Sequence, residues 1–357
     1  MKKPVFIGVF ILLLSASLLP SQSFPYMPTL LHAQQIKTMA RQLGFHACGL
    51  TAARPVDGQR AAAIRQWLAE GRQADMHYLE NHLEKRLNPR LLVPGAQTIV
   101  SLAVNYYTPD EMGDSCTDSS LPSEGENVAR PDEYAQNRWT LARYARGTDY
   151  HEVVKSMLRQ LMAALHLEEG TDGRCFVDTA PIDEKYWAQQ CGLGWKGRNS
   201  QLIIPGAGSY FFLGELVLVH EADAYDRPLP SRCGTCSRCL DACPAHALLG
   251  NGELDARRCL SYLTIEHRGP LPDGTGSLMG NCFYGCDRCN DACPWNHRFA
   301  SPTTIPELLP RPALQGMTVN DWRQLTIERY REIFRKSAVK RAKFEGLMRN
   351  VAAMETE

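Results

Sequence analysis

Neither sign of charge dominates this chain. Its 357 residues hold 39 Lys+Arg against 39 Asp+Glu, a formal net charge of +0. No global field therefore draws it to nucleic acid or to an anionic membrane, and any such attraction has to come from a local patch. Long hydrophobic runs are missing as well. The apolar run Val5–Leu14, within "MKKPVFIGVFILLLSASLLPSQS", is short for a bilayer-spanning helix; it has the form of a secretory signal, without a twin arginine. No G-x-x-x-x-G-K-[ST] loop is present, which excludes a P-loop nucleotide site. Apart from two cysteine motifs there is no internal repeat.

What remains is ordinary in bulk. Hydrophobic content of 44% and charged content of 22% belong to a globular protein. The length suits two modest domains, or one large domain with appendages. Met27 opens "MPTLLHAQQIKTMARQLGF", which already reads as the amphipathic first helix of a domain. Residues 1–26 are therefore expected to be an over-extended start, with a cytoplasmic protein beginning near Met27. Thirteen cysteines, an odd number, would be hazardous in an oxidising compartment.

The periodicities give an α+β fold. Apolar residues recur at helical spacing from Leu30 to Leu43, and "GFHACGLTAA" then reads as a strand. A helix is expected over Ala61–Glu70 and a strand over Thr98–Tyr107, before a polar insertion at 108–137. Val153, Val154, Met157, Leu158, Leu161, Met162 and Leu165 form one helical stripe. "RCFVDTAPIDEKYWAQQCGLGW" gives a strand, a turn and a helix, and "SQLIIPGAGSYFFLGELVLV" two strands across a Pro-Gly-Ala-Gly turn. "GLGWKGRNS" at 192–200 is a Gly-rich turn, suited to φ > 0 or to close approach of a large planar ligand. Thr318–Ala353 reads as helical and basic.

Most of the cysteines crowd between Cys233 and Cys293. Cys233, Cys236, Cys239 and Cys243 form C-x2-C-x2-C-x3-C-P, and Cys286, Cys289 and Cys293 form C-x2-C-x3-C-P. Three thiolates two residues apart wrap one face of a cubane, while the last cysteine of each run reaches to the other cluster. This is the two-[4Fe–4S] ferredoxin pattern. Zinc also takes paired C-x2-C units, but seldom a third cysteine at the same spacing plus x3-C-P, twice over. The crossover assigns Cys233, Cys236, Cys239 and Cys293 to one cluster, and Cys243, Cys286 and Cys289 to the other. Cys259 is expected to supply the missing fourth ligand, with Cys282 as the rival. Cys48, Cys116, Cys175 and Cys191 read as core or surface thiols.

Several longer motifs resemble epoxyqueuosine reductase: "ARYARGTDYH" (142–151), "VDTAPIDEKYWAQQCGLGWKGRNSQLI" (177–203), "GSYFFLGEL" (208–216), "RRCLSYLTIEHRG" (257–269), "YGCDRCNDACPWN" (284–296) and "KRAKFEGLMRN" (340–350). The resemblance runs from about Leu30 to Val351. It implies an oxidoreductase that uses cobalamin and two [4Fe–4S] clusters to turn epoxyqueuosine into queuosine at the wobble position of tRNA, removing the epoxide oxygen with two electrons. Cob(I)alamin would open the epoxide, the clusters would feed it electrons, and an acid would protonate the leaving oxygen. It further implies a cobalamin-binding catalytic domain at 27–225, a ferredoxin-like domain at 226–300 and a basic helical tail at 301–357. An electron donor such as a flavodoxin or ferredoxin and a monomeric state complete that expectation.

The same resemblance implies roles for individual residues. Asp149 of "DYH" would be the proton donor, which requires its pKa to rise through burial; on local sequence alone it is a helix N-cap. Arg86, Asp149, Asp178, Thr179, Ser261 and Asp287 would contact cobalamin, though Arg86 also reads as a surface charge, Asp178 as a turn residue and Ser261 as a helix cap. Arg323 to Arg349 holds nine Lys/Arg against three Asp/Glu, with Ile327, Tyr330 and Phe334 on its apolar face. That stretch reads either as a phosphate-tracking basic helix or as a solvated one. The rival readings are a reductive dehalogenase, whose acid is typically Tyr where this chain has Asp149, and a ferredoxin-like carrier. The carrier leaves 200 residues ahead of the clusters unexplained.

Overall fold

The computed structural model describes residues 30–109 and 139–355. The expectations for residues 1–26, for nearly all of the 108–137 insertion and for Cys116 lie outside the described residues.

Eight strands are present among them: β1 (Ala47–Ala52), β2 (Thr98–Asn105), β3 (Thr140–Leu141), β4 (Gly173–Phe176), β5 (Trp195–Lys196), β6 (Leu202–Ile203), β7 (Phe211–Leu218) and β8 (Cys282–Tyr284). The main sheet has the order β1-β2-β7-β4 and is antiparallel throughout. β2 sits in its centre and is buried on both faces, which its unbroken run "TIVSLAVN" allows. Val100, Leu102 and Val104 point into one core, Ile99 and Ala103 into the other, as the two-residue period of a strand demands. Helices α1 (Ala33–Gln42) and α3 (Tyr150–Ala164) cover the first face; α2 (Gly58–Ala69) and α4 (Glu184–Gln190) cover the second.

The stripe read from 153–165 packs α3 onto β7. Val154, Leu158 and Leu161 are fully buried, each contributing roughly 1.5–3 kcal/mol. Gly214 of β7 lets that helix approach closely, since a Cβ there would stand 2.9 Å from Val154 Cγ1. This packing fixes the N-terminus of α3, where Asp149 caps the helix by accepting the His151 N–H at 3.1 Å.

The two strands expected across the Pro-Gly-Ala-Gly turn are β6 and β7, and they join different sheets: β6 pairs with β5, and β7 with β2 and β4. The loop closes on itself, Ile204 N–H reaching the Gly208 carbonyl at 2.7 Å, and the chain then changes sheets. In "GLGWKGRNS" Gly192 takes φ +73, and Gly194 stands close to the neighbouring strand, where a Cβ would meet the Ile203 carbonyl oxygen at 2.1 Å. The tail is not one helix. It breaks into Val319–Arg323, Ile327–Ile333, a 3-10 turn Ala338–Ala342 and α5 (Lys343–Ala353), with Lys336 and Lys343 at positive φ beside the turn. Tertiary packing forces the break, because Trp322, Phe334, Val339 and Leu347 all join the buried cluster that contains Phe283 and Tyr284. β8 also pairs in parallel with β3, tying the cysteine-rich segment to the chain just before Asp149.

Candidate active site and cluster centres

The N-terminus of α3 gathers three titratable side chains. His151 Nδ1 lies 2.7 Å from Asp149 Oδ1, and its Nε2 lies 3.5 Å from Asp178 Oδ2. Asp178 also accepts the Tyr150 hydroxyl, while its own backbone N–H donates to Glu184 Oε1. The electrostatics follow. Burial works against the charge of His151, but hydrogen bonds to Asp149 and Asp178 outweigh it and raise the imidazole to about 9. Asp149 moves the other way: its bond to His151 holds the carboxyl below its ordinary range. That corrects the expected rise at Asp149. Near neutral pH the proton of this group resides on His151, between two carboxylates. Glu184 is pushed up, first by burial and then by the Asp178 charge.

Asp178 has φ +48, a strained conformation for a side-chain-bearing residue, and Thr179 N–H folds back onto the Val177 carbonyl at 2.5 Å. The turn holds the Asp178 side chain 56% exposed although neighbours surround it, which makes it the wall of a cleft. Arg86 feels the charges of Asp183, Glu184 and Asp178 and belongs to the same cleft. Ser261 and Asp287 stand beside the thiols: Ser261 lies two residues after Cys259, and Asp287 follows Cys286. The Asp287 carboxylate accepts the Arg143 backbone N–H at 2.7 Å, so part of its capacity is spent within the protein.

The cysteines meet in two groups. Cys239 lies in the field of Cys293, Cys233 and Cys236. Cys289 lies in that of Cys286, Cys259 and Cys243. Cys282 is half-buried on β8 and turns its thiol to the Tyr284 and Gly285 carbonyls at 3.4 and 3.7 Å. The donor set suits iron–sulfur clusters. Burial raises the thiols of Cys239, Cys259, Cys286, Cys289 and Cys293, Cys286 to about 11, so thiolates persist there only when bound cations share their charge. Amide and indole N–H groups already point at the sulfurs: Trp195 Nε1 to Cys233 at 3.5 Å, and the Ala247 N–H to Cys243 at 3.3 Å. Such contacts tune cluster potentials.

Comparison with known proteins now bears on this geometry. A family model described as "4Fe-4S double cluster binding domain" matches residues 232–296, and one described as "Epoxyqueuosine reductase QueG, DUF1730" matches residues 86–179. The epoxyqueuosine reductase of Cellulophaga algicola is 38% identical over 321 residues, covering 90% of this chain and 97% of that one. That of Leadbetterella byssophila is 41% identical over 322 residues with the same coverage. The chain belongs to the epoxyqueuosine reductase family. A crystal structure of epoxyqueuosine reductase with an epoxyqueuosine-modified tRNA-Tyr stem loop superposes with a TM-score of 0.76 at 27% identity, covering 90% of this chain and 80% of that one. The Streptococcus thermophilus enzyme gives 0.73 at 29% identity, with the same coverage.

Epoxyqueuosine reductases are oxidoreductases with two [4Fe–4S] clusters and cobalamin. The cleft fits a corrinoid on one observation in particular. Arg86 Nε is buried without a hydrogen-bond partner among the described residues, and its Nη1 has only a 3.3 Å contact to the Ile182 carbonyl. A buried cation with an unspent donor needs an acceptor, and the amide carbonyls around a corrin rim supply them. Reading the family motifs alone passed over two residues of the cleft. Glu184 and Lys185 were not singled out, although both lie within the quoted "VDTAPIDEKYWAQQCGLGWKGRNSQLI". Lys185 is half-buried, and burial lowers its ammonium within reach of Glu184, Asp178 and Cys289.

Proposed function

We propose that this chain reduces epoxyqueuosine in a tRNA anticodon stem-loop, with the proton supplied from the Asp149–His151–Asp178 group. The overall change balances as epoxide plus two electrons and two protons giving alkene and water. Bound cobalamin supplies the nucleophile that opens the epoxide. The protein's own part is to hold a proton at His151 Nδ1 or Nε2, to aim it through Asp149, and to enclose the reacting oxygen beside the Asp178 wall. The observation that carries this reading is the 2.7 Å contact from Asp149 to an imidazole raised to about 9, in a cleft that also holds Arg86.

Arg86, Asp178, Thr179, Ser261 and Asp287 are the proposed cobalamin contacts, with Asp149 facing the substrate side. Cys233, Cys236, Cys239 and Cys293 are the proposed ligands of one cluster; Cys243, Cys259, Cys286 and Cys289 those of the other. The working division is catalytic over 27–225, cluster-bearing over 226–300 and tail over 301–357. The enzyme acts as a monomer in the cytoplasm, where tRNA is found, and takes electrons one at a time from a flavodoxin or ferredoxin. No helix among the described residues is long and apolar enough to cross a membrane.

The basic tail supports RNA contact in a narrower form than one continuous helix. Arg341 is spent on Glu266, and Arg349 on the carbonyls of Leu263, His267 and Gly269. Lys340 is close enough for Asp149 to feel its charge, and Lys343 is exposed three residues further on, whereas Lys336 pairs with Glu152 at 3.3 Å. Lys340 and Lys343 are the proposed phosphate contacts. The test is direct: protein reconstituted with both cofactors and a low-potential reductant converts an epoxyqueuosine stem-loop to queuosine, read by nucleoside mass spectrometry. Asp149→Asn retains the corrinoid and loses most turnover. Full turnover in that variant removes Asp149 from the proton path.

A further inference from the structure

Tyr78 lies in the short turn His77–Leu79 with its side chain 48% exposed, although it sits among charged groups of the cleft. One face of its ring is taken. The Arg341 guanidinium stands 5.4 Å from the ring centroid. Arg341 cannot swing away easily, because Nε and Nη2 grip the two Glu266 carboxylate oxygens at 2.8 and 2.6 Å. Arg268 Nη2 holds the Arg341 carbonyl at 2.8 Å as well. A fork-to-fork ion pair fixes the plane of the guanidinium along with its position. The fold therefore braces a flat aromatic ring with a fixed cation while leaving the residue about half exposed.

The location is specific. Burial first, then the charges of Glu266 and Asp178, raise the Tyr78 phenol, so it lies within reach of the cleft wall. The same brace belongs to the segment that carries Lys340 and Lys343.

We infer that Tyr78, braced by Arg341, is a stacking platform for a nucleobase of the RNA substrate at the mouth of the cleft. The inference rests on the RNA reading given above. A base that enters a cleft has to leave its own stack, and an aromatic face compensates for that loss. The cation beneath the ring strengthens the contact with an electron-rich base. A corrinoid is the less suitable occupant, because the unspent donor that suits its amides is on the more buried Arg86.

The test uses holoenzyme and a labelled anticodon stem-loop, with fluorescence anisotropy for RNA affinity and absorbance for corrinoid content. Tyr78→Phe binds RNA as the parent does. Tyr78→Ala weakens binding about tenfold to a hundredfold with corrinoid unchanged. Arg341→Lys, which keeps the charge and loses the fork, weakens RNA binding in the same direction. Tyr78→Ala with parental RNA affinity overturns the platform, as does loss of corrinoid with RNA affinity intact. Binding and conversion by the parent protein report separately on the function itself.

Discussion

His151 is the residue on which the chemistry turns, because it holds a proton at neutral pH between two carboxylates. Its raised pKa makes two predictions. Turnover that depends on the protonated imidazole falls as pH rises through about 9, and His151→Gln removes that limb of the pH–rate profile. Stability follows the same linkage. A group whose pKa is raised by folding stabilises fully below its unfolded value, near 6.5, and loses that contribution as pH climbs through about 9. The parent's Tm therefore drops between pH 7 and 10 more than that of His151→Gln, in protein free of corrinoid. Equal slopes in both proteins would mean that the imidazole is not held by the two carboxylates.

The cysteines make a second prediction at this scale. Anaerobically prepared protein carries about eight iron, as two cubanes require. Cys259→Ser lowers that to about half or leaves one altered cluster by electron paramagnetic resonance, and Cys282→Ser keeps both. The opposite pattern would move the fourth ligand to Cys282.

Among the elements, α3 and β7 carry the site, and their contact can be probed without touching it. Gly214→Ala places a methyl 2.9 Å from Val154 Cγ1 and 3.0 Å from Leu158 Cδ1. Overpacking of this kind costs about 1–3 kcal/mol. Chemical denaturation should show that loss, and a parental midpoint would mean that the helix has room to shift. The stripe on α3 was legible because its six buried apolar residues repeat with helical period. The cysteine runs were legible because cluster ligation is a matter of local spacing. The Asp149–His151–Asp178 bridge was not, since residue 178 reaches it from the far end of β4 through a strained turn. The break-up of the tail was hidden for the same reason: it is decided by which surfaces meet, Trp322 against Phe283, and no short window of sequence contains both partners.

For the whole molecule, zero net charge places the burden of RNA attraction on a few side chains at the cleft mouth. Each phosphate contact contributes about 0.7–0.9 to the slope of log affinity against log salt. Lys340→Ala and Lys343→Ala should each flatten that slope by about this amount for a stem-loop, whereas Arg335→Ala, exposed on the tail, serves as the control. The measurement that bears most directly on the central claim is made in cells. The chain is expressed in a bacterium lacking its own epoxyqueuosine reductase, with iron-loaded protein verified in the extract, and the nucleosides of bulk tRNA are measured. Queuosine appears with the parent chain and epoxyqueuosine persists with Asp149→Asn. Persistent epoxyqueuosine beside the parent protein would contradict the account.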